Sequence, residues 1–313
     1  MSAKRLAGID IGTLTCRLLI ADLPVRSSLK ELRSERRILR LGEGVDRSKR
    51  LTGAAMDRVI QCLKEWRALI DSYGVDACTA VATSAVRDAT NRQEFLDRVK
   101  YEVGFDVEVI TGEEEARRTM LGIRSGLPAG VSDVLALDIG GGSTEFILDR
   151  IGQISTVRSI DVGVVRLNER ILQHDPPTTE EIQQAREWIR NDTEKVMVAL
   201  PQRAGLTFVG TAGTITSLAA MAQQLPTYEP ARIHNYPLML EAIVDLEQQL
   251  LTRTKAARIG LPGLEQNRED VIAAGAIIIR TIMEMLGEQE CLVSDLGLRE
   301  GVLLDLARRS SET

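Results

Sequence analysis

Two short stretches decide how this chain reads: Asp10-Ile11-Gly12-Thr13-Leu14-Thr15 and Asp138-Ile139-Gly140-Gly141-Gly142-Ser143. Each ends an apolar run on an aspartate, passes a glycine-containing turn and enters a second apolar run. The first joins residues 6–11 to 18–21, the second 134–139 to 146–148, and both patterns predict hairpins. Their repetition predicts equivalent loops in two related domains. Glycine lets backbone N–H groups approach phosphate oxygens with no side chain in the way. GxxxxGK[ST] and GxGxxG loops lead into helices, and neither pattern is present. Two matching loops, each behind a strand-end aspartate, therefore predict phosphate binding by Gly12, Thr13 and Thr15, and by Gly140, Gly141, Gly142 and Ser143.

Outward from these loops, strands and helices alternate. Thr52 opens a helix whose apolar positions, from Met56 and Val59 through Trp66 to Ile70, recur every three or four residues until Gly74. A strand is expected at 77–82, a helix at 95–103, a strand at 107–110 and a helix at 113–123. Gly126-Leu127-Pro128-Ala129-Gly130 is the candidate interdomain joint and hinge. Beyond the second loop come a strand at 154–160, a helix from Thr179 and a strand at 206–209 running into Gly210-Thr211-Ala212-Gly213-Thr214. Helices at 238–251 and 271–286, a strand at 292–294 and a last helix follow. This alternation predicts an α/β fold with mixed sheets flanked by helices.

The 313 residues suit two domains. With aromatics at 3 %, the core must be aliphatic. The most apolar stretch, 271–286, carries Arg280 and Glu284 and falls short of the roughly 20 residues of a membrane span. Asp10 interrupts the first apolar run, so no signal peptide is expected. Cys16, Cys62, Cys78 and Cys291 are far apart and form no CxxC pair. They read as reduced, mostly buried thiols of a cytoplasmic protein. His174 and His234 lack metal-ligand spacing, which argues against zinc. A net charge of −6 argues against nucleic-acid binding. The basic stretch between Arg26 and Arg50 holds Arg33, Arg36, Arg37, Arg40, Arg47, Lys49 and Arg50. It is either a polyanion contact or a solvated face interspersed with Glu31 and Glu35.

Phosphate chemistry calls for magnesium, which takes oxygen ligands from one or two carboxylates plus substrate and water. Asp138 and Glu145 are the metal candidates, with Asp10 a third. Glu113, Glu114 and Glu115 are each candidate bases, and equally ordinary acids at a helix start. Arg87 follows the strand at 77–82, at the end where open sheets bind ligands. Arg17 follows the first loop on a strand. Thr211 and Gly213 form a further glycine-and-hydroxyl turn that suits a phosphate or merely opens a helix.

Together the segments resemble the exopolyphosphatase / guanosine pentaphosphate phosphohydrolase family, of the actin, sugar-kinase and heat-shock-chaperone superfamily. The resemblance rests on Asp10-Ile11-Gly12-Thr13, Leu41-Gly42-Glu43-Gly44-Val45, Ala82-Thr83-Ser84-Ala85-Val86-Arg87-Asp88-Ala89 and Thr111-Gly112-Glu113-Glu114-Glu115-Ala116. It continues through Asp138-Ile139-Gly140-Gly141-Gly142-Ser143-Thr144-Glu145, Gly163-Val164-Val165-Arg166-Leu167, Gly210-Thr211-Ala212-Gly213-Thr214 and Leu298-Arg299-Glu300-Gly301. It implies two ribonuclease-H-like domains with an active-site cleft between them: residues 1–125, with a last helix at about 299–313 packing back, and residues 126–298. It implies Glu115 as the catalytic base, Asp138, Gly140 and Glu145 at metal and phosphate, and Arg87 on phosphate. Leu14 stands where the family commonly has asparagine.

The resemblance implies an exopolyphosphatase acting on inorganic polyphosphate with Mg2+, for which Mn2+ substitutes. The alternative substrate is pppGpp, hydrolysed to ppGpp. Longer family members continue with a helical region after the Leu298–Gly301 segment, so short polyphosphate and pppGpp both come into view. A superfamily kinase would need an acceptor pocket that no segment suggests. A non-hydrolytic nucleotide or polyphosphate sensor is disfavoured by retention of Glu115, Asp138 and Glu145. Neither nucleic acid nor membrane is an expected partner, and a homodimer is compatible with the sequence without being required by it.

Overall fold

The structure, a computed structural model, describes residues 4–23, 29–200 and 205–309. Arg26 and the last four residues expected in the final helix lie outside the described residues. The chain divides into two compact units, residues 1–125 with 297–313, and residues 126–296.

In the first unit β1 (Lys4–Ile11), β2 (Thr15–Leu23) and β3 (Lys30–Ile38) form an antiparallel meander. A short helix α1 (Val45–Ser48) and α2 (Gly53–Ser72) lead to β4 (Ala77–Ala82), which lies parallel to β1. Then α3 (Ser84–Asp88), α4 (Arg92–Val103), β5 (Val107–Val109) and α5 (Gly112–Arg124) follow. The strand order is β3-β2-β1-β4-β5. Strand alternation sorts the core into two layers. Ala7, Ile9 and Ile11 pack with Met56, Ile60, Trp66 and Phe95 under α2 and α4. Leu6 and Leu19 face the opposite layer. The N-caps are local: the Thr52 hydroxyl accepts from Ala55 N–H, and Thr111 does the same for Glu114.

The second unit repeats the plan. β6 (Asp133–Ile139), β7 (Thr144–Arg150) and β8 (Gln153–Ile160) form the meander. Helices α6 (Val164–Arg170) and α7 (Thr179–Ala199) lead to β9 (Thr207–Thr211), parallel to β6. Then come α8 (Ala212–Ala222), α9 (Pro230–Ile233), β10 (Pro237–Met239), α10 (Leu240–Leu251), α11 (Lys255–Arg258), α12 (Ile272–Leu286) and β11 (Glu290–Val293). The order is β10-β11-β9-β6-β7-β8. Both units thus carry the mixed, helix-flanked sheet of the ribonuclease-H-like plan. Thr178 and Glu181 form a full capping box on α7. The apolar stretch at 271–286 is a core helix, packed against α7, α10 and α8. Among the described residues no helix is long and apolar enough to cross a membrane.

The last helix, α13 (Leu298–Arg309), belongs to the first unit. Leu303 packs on Leu6 and Leu19, and Val302 on Val81 and Ile110. α13 crosses α5 at backbone distance. A Cβ on Gly301 would lie 1.6 Å from the Arg118 carbonyl oxygen, and one on Gly122 would lie 1.9 Å from that of Gly297. Buried Arg118 and half-buried Arg117 bond Glu114, and both pair with Asp305 on α13.

β3 was not anticipated from sequence. Its charged residues show no apolar period because it is a sheet edge, where charge guards against pairing with another chain. Part of the basic stretch is a charge-compensated surface. Arg33 pairs with Glu35, Arg37 with Glu65 and Lys49 with Asp46.

Candidate active site

The first hairpin turn is closed by Gly12 N–H donating to the Thr15 carbonyl at 3.0 Å. Its carbonyls are held from one side: Gly42 N–H donates to Thr13 C=O at 2.8 Å, and Leu39 and Arg40 N–H to Leu14 C=O. In a trans peptide the following N–H points opposite to the carbonyl. The amides of Leu14 and Thr15 therefore face away from this brace. Leu14 itself is buried, so the residue that departs from the family pattern offers no polar side chain. The Thr13 hydroxyl meets that of Ser84, at the head of α3, at 2.7 Å.

Arg87, on α3, donates through Nη1 to the Ile110 carbonyl at 2.9 Å and to Glu115 Oε2 at 3.2 Å. Glu115 occupies the first turn of α5 with its side chain 12 % exposed. The guanidinium supplies the countercharge that a buried carboxylate needs. The three adjacent glutamates have separate fates. Glu113 is exposed. Hydrogen bonding from Arg117, with the charge of Arg118, holds the Glu114 carboxyl at about 2. Glu115 alone meets Arg87. The register sets Arg17 opposite Asp10, and Arg36 opposite Arg17 on the next strand. Opposed residues share a sheet face.

The second turn has the same geometry, Gly140 N–H to Ser143 C=O at 2.9 Å. Here the brace is the start of α6. Val164 N–H donates to Gly140 C=O, Val165 N–H to Gly141 C=O, and Arg166 Nε to Gly142 C=O at 2.8 Å. The amides of Gly141, Gly142 and Ser143 face away from α6, as a concave anion-binding nest requires. A Cβ on Gly163 would stand 2.4 Å from the Gly141 carbonyl oxygen, so the brace needs glycine there. The segments at 41–45 and 163–167 carry the resemblance, but sequence reading gives them no role of their own. Their role is to hold the two loops.

Asp138 and Glu145 stand directly opposite across β6 and β7. Glu145 is buried, and Oε1 accepts from the Ser159 hydroxyl at 2.8 Å. Two like charges opposed on one face repel, a cost that a cation relieves. Asp10 instead stands opposite Arg17. Among the described residues no group of three or more His, Cys, Asp or Glu gathers to hold a metal. The all-oxygen pair Asp138 and Glu145 suits magnesium, which completes its shell with water and substrate phosphates.

Thr211 ends β9, and its hydroxyl donates to the Leu296 carbonyl at 3.1 Å, which spends its proton on the fold. Ala212 follows at φ 71°, a left-handed conformation that costs a residue with a Cβ about 1–2 kcal/mol. Gly213, in the first turn of α8, is covered by the buried Arg268 guanidinium, which a Cβ would meet at 2.1 Å. Arg268 drew no notice in the sequence because it stands 55 residues away from Gly213 in the chain. Of the two histidines, His174 bonds Glu181 of the α7 cap, and His234 bonds the Gly126 carbonyl. Burial pushes the Cys16, Cys62 and Cys291 thiols up, Cys62 to about 12, and Cys78 is exposed.

This arrangement can be set beside known proteins. The chain is 35 % identical over 319 residues to Exopolyphosphatase 2 of Mycobacterium tuberculosis, covering 98 % of this chain and 100 % of that one. The crystal structure of the Aquifex aeolicus Ppx/GppA family member superposes with a TM-score of 0.83 at 36 % identity, covering 98 % of each chain. An exopolyphosphatase structure from Cytophaga hutchinsonii does so with a TM-score of 0.90 at 31 % identity, again over 98 % of each. The sequence model of the Ppx/GppA phosphatase family matches residues 20–310. With that match spanning most of the chain and the full-length likeness to the relatives, the chain belongs to the Ppx/GppA phosphatase family and is a hydrolase.

Proposed function

We propose that this protein is an exopolyphosphatase, releasing the terminal phosphate of inorganic polyphosphate. The observation that carries the proposal is the part-buried Arg87–Glu115 pair, which sets one of three adjacent glutamates apart as the candidate base. Glu115 takes a proton from water as its oxygen attacks the terminal phosphorus in line. The anhydride P–O bond breaks, and the chain leaves one phosphate shorter. Loop amides of the two turns bind phosphate oxygens, and Arg87 orients Glu115 while adding positive charge. Asp138 and Glu145 would hold magnesium, which would supply positive charge to the phosphate oxygens. The exopolyphosphatase names of the relatives support polyphosphate as the substrate, with pppGpp as the competing one.

The test supplies purified protein and magnesium with short polyphosphate, long polyphosphate, pppGpp or ATP, and measures phosphate release. Polyphosphate should be hydrolysed fastest. A clear preference for pppGpp would reassign the substrate, and no release from any of the four would end the hydrolase mechanism. Glu115→Gln should lower kcat by about 100-fold or more with KM largely kept.

A further inference from the structure

The row that begins at Asp138 does not stop at Glu145. β8 pairs with β7 in a register that sets Ser159 opposite Glu145. Asp138, Glu145 and Ser159 therefore lie side by side on one face of three adjacent strands. Glu145 is 1 % exposed, whereas Ser159 stands at the solvent-exposed edge of the sheet. The Ser159 Oγ–H donates to Glu145 Oε1 at 2.8 Å. The last torsion of a glutamate side chain has broad wells, so each hydrogen bond to the carboxylate helps to fix its plane. A hydroxyl anchored on a paired strand and bonded to one oxygen contributes to that plane.

We propose that Ser159 is a positioning residue for the cation site, holding the Glu145 carboxylate in the orientation in which it binds the divalent metal. The inference rests on Glu145 being a metal ligand. Carboxylates that ligate metals are themselves hydrogen-bonded, and loss of such a partner costs about 10–100-fold in metal affinity. The hydroxyl donates and the carboxylate accepts. Serine at an exposed edge position adds little to packing. Its removal is expected to register in metal binding and not in stability.

The test is Mn2+ titration of the full chain without substrate, read from the electron paramagnetic resonance of free Mn2+, with thermal unfolding of each variant alongside. Ser159→Ala should weaken Mn2+ binding about tenfold at an unchanged unfolding midpoint, and Ser159→Thr, which restores a hydroxyl, should recover it to within about twofold. Glu145→Gln should abolish binding. Parental Mn2+ affinity in Ser159→Ala, with binding lost in Glu145→Gln, would overturn the role of Ser159 and leave the metal site standing. Parental affinity in Glu145→Gln, or no binding by the parent, would overturn the metal site itself. A lowered unfolding midpoint in Ser159→Ala with unaltered Mn2+ affinity would make the hydrogen bond purely structural.

Discussion

The two units present the same row with opposite charge. In the first, Asp10, Arg17 and Arg36 lie across β1, β2 and β3. In the second, Asp138, Glu145 and Ser159 lie across β6, β7 and β8. The turns have equal length, with Ile11 opposite Cys16 and Ile139 opposite Thr144. The backbone is thus shared and the side chains differ. One carboxylate beside two guanidiniums suits an anion. Two carboxylates beside a hydroxyl suit a cation. The difference teaches that a repeated scaffold can divide phosphate chemistry between its copies by changing the residue opposite the aspartate.

The strongest way to break this comparison is to make the second row like the first. Glu145→Arg should remove magnesium-dependent phosphate release by at least about 100-fold, because a cation site then faces a fixed positive charge. Activity close to parental would show that the rows do not divide the chemistry as described.

The braces allow a sharper contrast. A Cβ on Gly163 meets the backbone of Gly141 and Gly142, which cannot yield without moving the loop. A Cβ on Gly42 meets chiefly the Thr13 methyl, at 2.3 Å, which a side-chain shift relieves in part. Gly163→Ala is expected to cost about 1–3 kcal/mol in denaturant unfolding and to lower kcat, and Gly42→Ala less on both counts. The reverse order would mean that the first loop is the more rigidly held.

Arg17→Gln should raise KM for polyphosphate by about tenfold, with a smaller change in kcat, if the first row contacts substrate anions. An unchanged KM would reduce the row to a surface feature.

The smallest effect concerns acid stability. Each unit holds one glutamate at about 2: Glu114 in the first, and Glu181 in the second. Burial pushes Glu181 up, but hydrogen bonds from His174 and from the Thr178 and Gln173 amides outweigh it. An unfolded glutamate titrates near 4.3. A carboxyl depressed on folding stabilises fully above that value, and the stability is lost as pH falls toward 2. Unfolding midpoints should therefore decline from about pH 4.3 downward. Glu114→Gln should lower stability at neutral pH and flatten the acid decline.

Much of the fold could be read in advance. The apolar period of α2 and the helix start at Thr52 depend on neighbours within four residues, so the chain itself shows them. The edge strand β3 was hidden because its stability comes from pairing with β2, and its exposed face carries charge. The glutamates show the limit most clearly. All three sit in the same helical turn, and local sequence treats them alike. Resemblance singled out Glu115. The geometry distinguishes Glu115 from its neighbours by a guanidinium delivered from 28 residues away.

What the sequence by itself determined is local: two aspartate–glycine turns of equal length, the helix starts, and the residue types that phosphate and magnesium require. What only the tertiary structure decided is which groups meet. It set Arg17 against Asp10, Glu145 against Asp138 and Ser159 against Glu145, and it gave the segments at 41–45 and 163–167 their task as braces. The physical reason is register. A hairpin written in the chain can pair in more than one way until a buried face chooses, because a slip of one residue turns every side chain to the other side. The core made that choice here, and the two opposite rows of charge follow from it.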